Sequence, residues 1–273
     1  MASRALTIVG GVREAWSVWR RGRLGTVCAR GACPAWSCGP STAPLEGMQD
    51  VTATFEAGGF AVAPQVLSDA QCAELEACVG AVELQGAGTR ELLSFDWAQQ
   101  FARQLRDLPA LTALLGDSRT AIQCTYFAKL SSRNWLVALH QDLSIPVAER
   151  AADAPCKAWS EKEGTWFCQP PADFLAQLVA VRVHLDDSTE ANGPLRVVPG
   201  SHRLGRIASH EVAVHRRRLG EVACVAPRRS LVAMRPLLLH ASSKATSDAP
   251  RRVLHYVFGP PELPWGLRWK HAF

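Results

Sequence analysis

The stretch SLVAMRPLLLHASSKATSDAPRRVLHYVF, residues 230–258, sets the architecture. Residues 230–234 and 252–258 are short runs of β-branched, aromatic and aliphatic side chains, and residues 235–239 read as a third apolar strand ending at His240. A polar turn, residues 241–247, separates the last two. Short strands divided by turns, with no helical period between them, predict antiparallel pairing rather than parallel βαβ crossovers. The same texture runs upstream to Thr120, in residues 121–129, 178–185, 195–198 and 221–225. The expected fold is therefore mainly β with flanking helices, two facing sheets in the manner of a jelly roll.

Two helices are expected before this region, with few among the strands. Residues 55–63 (FEAGGFAVA) read as a Gly turn leading into a short strand. Ser68 then opens a helix: Ser68 and Gln71 have capping-box spacing, and Cys72, Leu75, Val79 and Val82 fall on one face. A second helix spans residues 96–107, with Trp97, Phe101, Leu105 and Leu108 as its apolar stripe and Pro109 as its stop.

The chain has 273 residues, 48% hydrophobic and 20% charged, enough to bury a core and too apolar for a disordered chain. No apolar run approaches the ~18 residues of a membrane-spanning helix, so no membrane role is expected. Residues 1–47 carry six Arg, no Lys and two Glu, a balance of +4 out of the chain's +5. The body is thus nearly neutral, and its one basic run, Arg216 to Arg218, reads as a solvated helix end, so nucleic acid is not an expected partner. The chain is divided here into an extension, residues 1–47, and one domain, residues 48–273. The extension is disordered, a targeting segment, or upstream of a start at Met48; a cytoplasmic location follows, or an organellar one if it is a transit peptide. The nine Cys include no C-x-x-C pair, which argues against a disulfide framework or zinc ribbon and for a reducing compartment. Nucleotide-binding loops and a Gly-x-Ser-x-Gly elbow are absent.

His140 and Asp142 stand two residues apart at the end of an extended segment, so both project to one face and can share a cation. That spacing alone also suits an unrelated surface His and Asp. His240, at a strand end 98 residues beyond Asp142, supplies a third donor, although a lone His can equally be structural. Two His and one carboxylate on a β scaffold form the facial triad of non-haem Fe(II) oxygenases, with positions left open for co-substrate and oxygen. Arg251 follows His240 by 11 residues at the start of a strand. A pocket Arg is explained by a carboxylate gripped through paired hydrogen bonds, and its neighbour Arg252 must face the opposite way.

Three blocks, WLVALHQDLSIP (residues 135–146), ANGPLRVVPGSHR (191–203) and LLLHASSKATSDAPRR (237–252), resemble the phytanoyl-CoA dioxygenase family of Fe(II)/2-oxoglutarate oxygenases. The resemblance implies a cupin-like double-stranded β-helix, an enzyme with His140, Asp142 and His240 as iron ligands, and Arg251 assisted by Ser242 as the 2-oxoglutarate clamp. It places Lys129 beside that co-substrate, Trp159 along its pocket and Gln123 toward the substrate. His202 is left structural, and residues 149–169 become a lid or active-site loop. The implied reaction is hydroxylation of a small molecule with O2, releasing succinate and CO2, with ascorbate as a supporting reductant. A non-catalytic jelly-roll module that binds a metal or ligand is the alternative. Asp142 argues against halogenation, which needs that carboxylate replaced by a small residue.

Overall fold

The computed structural model describes residues 46–82 and 88–273; the three Cys at 28, 33 and 38 and the division at residue 47 lie in or against the stretch outside them. In chain order the elements are α1 (Glu46–Gly58), β1 (Phe60–Ala63), α2 (Asp69–Gly80), β2 (Gly88–Thr89), α3 (Asp96–Arg106), α4 (Pro109–Leu115), β3 (Thr120–Lys129), β4 (Val137–His140), β5 (Ile145–Val147), β6 (Lys157–Lys162) and β7 (Thr165–Gln169). They continue with α5 (Ala172–Leu175), β8 (Val179–His184), β9 (Leu195–Val197), α6 (Val212–Leu219), β10 (Val222–Cys224), β11 (Leu231–Met234), β12 (His240–Ser242) and β13 (Arg251–Gly259).

The strands form a six-stranded sheet in the order β1-β11-β8-β13-β3-β2, a four-stranded sheet β10-β9-β12-β4, and a small sheet β5-β7-β6. All pairings between these strands are antiparallel. Alternation explains how the two large sheets meet. One face of β13 carries Tyr256, whose hydroxyl donates to the Ala98 carbonyl of α3 at 3.0 Å. The other face carries Arg251, Val253 and His255, and directly paired residues of neighbouring strands share it. Ala180, Val232 and Met234 of the large sheet pack there with Leu195, Val197 and Cys224 of the four-stranded sheet. A jelly roll results, with helices outside the large sheet and an interior between the two sheets.

Ser68 caps α2 as its spacing predicts: its hydroxyl accepts from the Gln71 amide and the Gln71 side chain accepts from the Ser68 amide. Cys72, Leu75, Cys78 and Val79 of α2 are buried. Two local expectations hold with an added detail and a third fails. Residues 55–58 end a helix rather than form a turn, and the turn is Gly59 alone, at φ 80°, where a Cβ would lie 2.3 Å from Nδ1 of His202. Pro109 ends α3 and also starts α4, since a first-turn Pro lacks only an N–H that has no helical partner. Residues 235–239 are a turn, not a strand: Pro236 cannot donate to a ladder, and Leu238 N–H bonds back to the Arg235 carbonyl. The leucines there are apolar because the turn is buried, and β12 begins at His240 itself.

Candidate metal and carboxylate site

His140 closes β4 and faces His240 across the β4–β12 pair, with ring centroids 4.2 Å apart. Each imidazole is tied by Nδ1 to a carbonyl two residues back on its own chain, His140 to Ala138 at 2.8 Å and His240 to Leu238 at 2.9 Å. A carbonyl only accepts, so both Nδ1 atoms carry hydrogen, and in the neutral imidazole each Nε2 lone pair is left for a ligand. Asp142 lies 3.6 Å from each Nε2 through its two oxygens. Ligand atoms from the three residues all fall within 4.8 Å of one another, close enough for one cation to reach all three. The donor set, two neutral imidazoles and one carboxylate held by backbone ties, fits a facial-triad metal.

Gln141, between His140 and Asp142, points the other way and locks the turn. Its amide nitrogen donates to the Leu237 carbonyl at 2.6 Å and the Gly205 carbonyl at 2.8 Å, and its oxygen accepts from Ile207 N–H at 2.9 Å. The Asp142 N–H adds a bond to the Pro236 carbonyl at 2.9 Å, which gives the unexpected 235–239 turn its place in the site. Burial opposes ionisation of Asp142, but His240, His140 and His255 outweigh it and hold the carboxyl well below the usual carboxylate range. Burial lowers His240 to about 4, with His140 adding to the effect. Burial also works against His140, yet its contact with Asp142 leaves its pKa raised.

The basic side of the site lies on the large sheet. Arg251 opposes Lys129 in the β13–β3 register, and both are almost fully buried. Ser242, at the end of β12, joins them: its hydroxyl oxygen accepts from Lys129 Nζ at 2.9 Å and Arg251 Nη2 at 3.2 Å, while its hydrogen goes to the Gly193 carbonyl at 2.9 Å. Ser242 is thereby saturated, so it positions the two cations. Lys129 also donates to the Ser243 carbonyl, and Arg251 Nε to the Asn192 carbonyl at 3.3 Å. Nη1 of Arg251 is buried with no partner, and among the described residues neither cation forms an ion pair. Two buried cations with an open donor fit an anionic ligand.

The Asn-Gly-Pro element earns its place here. Asn192 bonds to the Asp187 carbonyl and Thr189 N–H, fixing the carbonyl that Arg251 uses. Gly193 sits at φ 68°, where a Cβ would come within 2.3 Å of the Ser243 carbonyl and 2.9 Å of Lys129 Nζ.

The remaining expected residues fall less centrally. Gln123 shares the interior face with Lys129 but spends its amide on Thr125 Oγ1 at 2.9 Å. Trp159 lies on β6, half-buried against the cluster of Ile145 and Cys168, with the Arg150 guanidinium 5.7 Å from its ring; no contact brings it to the triad. Arg252, on the opposite face as expected, makes a bidentate pair with Asp186 at 2.9 and 2.7 Å. Sequence reasoning missed Arg182, His184 and His255, all buried on the interior face. The signal was available, because His255 is four residues from Arg251 and Arg182 and His184 alternate with valines along β8.

No curated protein sequence matches the chain. Among solved structures, the non-heme alpha ketoglutarate dependent carbocyclase SnoK from nogalamycin biosynthesis aligns with a TM-score of 0.61 at 17% identity, covering 82% of this chain and 88% of that one. EctD from S. alaskensis, with 2-oxoglutarate and 5-hydroxyectoine, aligns at 0.57 and 18%, covering 83% and 79%. AviO1 from Streptomyces viridochromogenes Tue57 aligns at 0.56 and 22%, covering 82% and 99%. These identities carry the fold. The sequence model of the phytanoyl-CoA dioxygenase family matches residues 55–253, a span that takes in β1 to the start of β13 and with them His140, Asp142, His240 and Arg251: this chain belongs to the phytanoyl-CoA dioxygenase family.

Proposed function

We propose that the chain is an Fe(II)- and 2-oxoglutarate-dependent dioxygenase that hydroxylates a small molecule, with His140, Asp142 and His240 as metal ligands. The observation that carries this reading is the convergence of both Nε2 atoms on Asp142 while both Nδ1 atoms are tied to backbone. When bound, iron and 2-oxoglutarate supply an oxidative decarboxylation that couples O2 to oxidation of a C–H bond and releases succinate and CO2. The chain's own part is placement. Arg251, with Lys129 beside it, grips the co-substrate's distal carboxylate; Ser242 orients both cations; Gln141 holds the ligand turn rigid. Carbocyclase and epimerase neighbours share the fold, so hydroxylation rests on the family resemblance, with a non-catalytic binder as the competing reading.

The test uses the full chain. Mn(II) should bind 1:1, and His140→Ala or Asp142→Ala should remove most of that binding; full affinity in both variants sinks the metal assignment. With Fe(II), ascorbate and 2-oxoglutarate, a metabolite library should yield substrate-dependent succinate. A chain that binds metal and 2-oxoglutarate yet turns over nothing supports the binder.

A further inference from the structure

Arg182 lies mid-β8, paired with His255 on one side and Val232 on the other, so its side chain enters the interior between the two large sheets. Only 7% of the residue is exposed. Nη1 donates to His255 Nδ1 at 3.3 Å, the guanidinium carbon stands 5.7 Å from the Phe127 ring centre, and Nε is buried with no partner. Among the described residues Arg182 forms no ion pair. Donation to Nδ1 leaves the His255 hydrogen on Nε2, which faces Asp142 at 3.9 Å. The guanidinium is thus one imidazole away from the metal-binding carboxylate. Burial lowers the Arg182 pKa only to about 10, so the group is charged at neutral pH.

The interior face holds three buried cations, Lys129, Arg182 and Arg251, against Asp142 at its edge. A divalent metal and a 2-oxoglutarate dianion cancel each other, so the bound site still has positive charge without a counterion. Arg251 and Lys129 account for the co-substrate carboxylate. Arg182 stands at the level of His255, four residues along the strand from Arg251, about 13 Å of extended chain. A buried guanidinium with an open Nε edge is costly unless an anion meets it, and the planar edge suits two carboxylate oxygens.

We infer that Arg182 recognises a carboxylate of the primary substrate, which places the substrate among organic acids; this rests on the Fe(II)/2-oxoglutarate reading above. The test uses the full chain loaded with Mn(II) and saturating 2-oxoglutarate under anaerobic conditions, with hexanoate, hexanamide and hexyl phosphate as probes measured by calorimetry. Hexanoate should bind at least about tenfold tighter than hexanamide, as expected for a charged hydrogen-bonded pair. Arg182→Met should erase that preference while Mn(II) and 2-oxoglutarate affinities stay within about twofold, and Arg182→Lys should keep part of it. The melting temperature of Arg182→Met without probe should not fall, because an apolar chain of similar length replaces an unpaired charge.

Equal binding of hexanoate and hexanamide to the native chain overturns the inference, and tighter binding of hexyl phosphate overturns the choice of carboxylate. Loss of 2-oxoglutarate affinity in Arg182→Met assigns the residue to the co-substrate instead. A lowered melting temperature with the preference retained makes it structural. If the native chain takes up neither Mn(II) nor 2-oxoglutarate, the Fe(II)/2-oxoglutarate reading fails, and the hexanoate–hexanamide comparison on that protein still judges Arg182.

Discussion

Replacing Arg251 and Arg252 one at a time should produce opposite phenotypes from adjacent residues. Arg251 faces the interior, 3% exposed, with Nη1 unpaired, and its contacts to Ser242 and the Asn192 carbonyl hold the guanidinium in place for a ligand. Truncating one partner of a buried charge pair costs on the order of 2–5 kcal/mol, so Arg251→Ala should weaken 2-oxoglutarate binding by roughly 30-fold or more. The free protein should lose little stability, because the removed cation had no counterion. Arg252 faces outward, where its guanidinium and its backbone N–H both bond to Asp186, with Glu76 3.6 Å away. Its side chain is 27% exposed, so solvent screens the pair in part and the loss in Arg252→Ala should be about 2 kcal/mol. For a domain of this size that corresponds to a fall of roughly 4–8 °C in Tm, with 2-oxoglutarate affinity unchanged. Anaerobic titration of 2-oxoglutarate into Mn(II)-loaded protein and a thermal melt of the metal-free protein read the two effects separately. A large affinity loss for Arg252→Ala with none for Arg251→Ala would refute the facing deduced from the β13 register; no affinity loss in either would remove 2-oxoglutarate from the site.

Three further outcomes follow from the same geometry. Gln141→Ala removes three hydrogen bonds from the ligand turn without touching a ligand atom, so Mn(II) affinity should drop about tenfold or more; an unchanged affinity would mean that the β4–β12 pairing alone fixes His140 and Asp142. Burial, with Arg251 and Arg182 adding repulsion, lowers Lys129 to about 7, so it is largely neutral at pH 8.5, and a bound carboxylate should draw a proton onto it. Titrations at pH 8.5 in buffers of different ionisation enthalpy should therefore show proton uptake on 2-oxoglutarate binding and weaker affinity as pH rises above 7, both absent in Lys129→Met; proton release would contradict this sign. A chain beginning at Met48 keeps β1 and the buried Phe55 of α1 and should match the full chain in Tm and 2-oxoglutarate affinity, whereas aggregation of the shorter chain alone would give residues 1–47 a packing role.

What the sequence disclosed, and what it hid, divides along the range of the interactions. The Ser68 cap is a four-residue motif with local physics, and it reads directly. Strands β3, β8, β9, β10, β11 and β13 read from composition and turns to within a residue or two at either end, whereas β12 and the small sheet β5-β7-β6 did not. The failures were places where distant contacts decided the local structure. Leu237 to Leu239 carry the same apolar signature whether they form a strand or a buried turn; Pro236 was the local sign against a strand, and the bond from Asp142 N–H to the Pro236 carbonyl, 94 residues apart in sequence, is what places the turn. Arg252 could be placed opposite Arg251 by alternation, but its partner Asp186 sits 66 residues away on the segment after β8, so its ion pair was invisible. The same limit explains the residues that were missed. Period-two alternation puts His255 on Arg251's face and Arg182 on His184's, yet placing both pairs on one interior surface requires knowing that β8 and β13 are neighbours. A motif search finds the candidate ligands His140 and Asp142 because their spacing is fixed. The other side chains of the interior face need only the correct face of the correct strand, and strand order is set by the packing of the whole sheet.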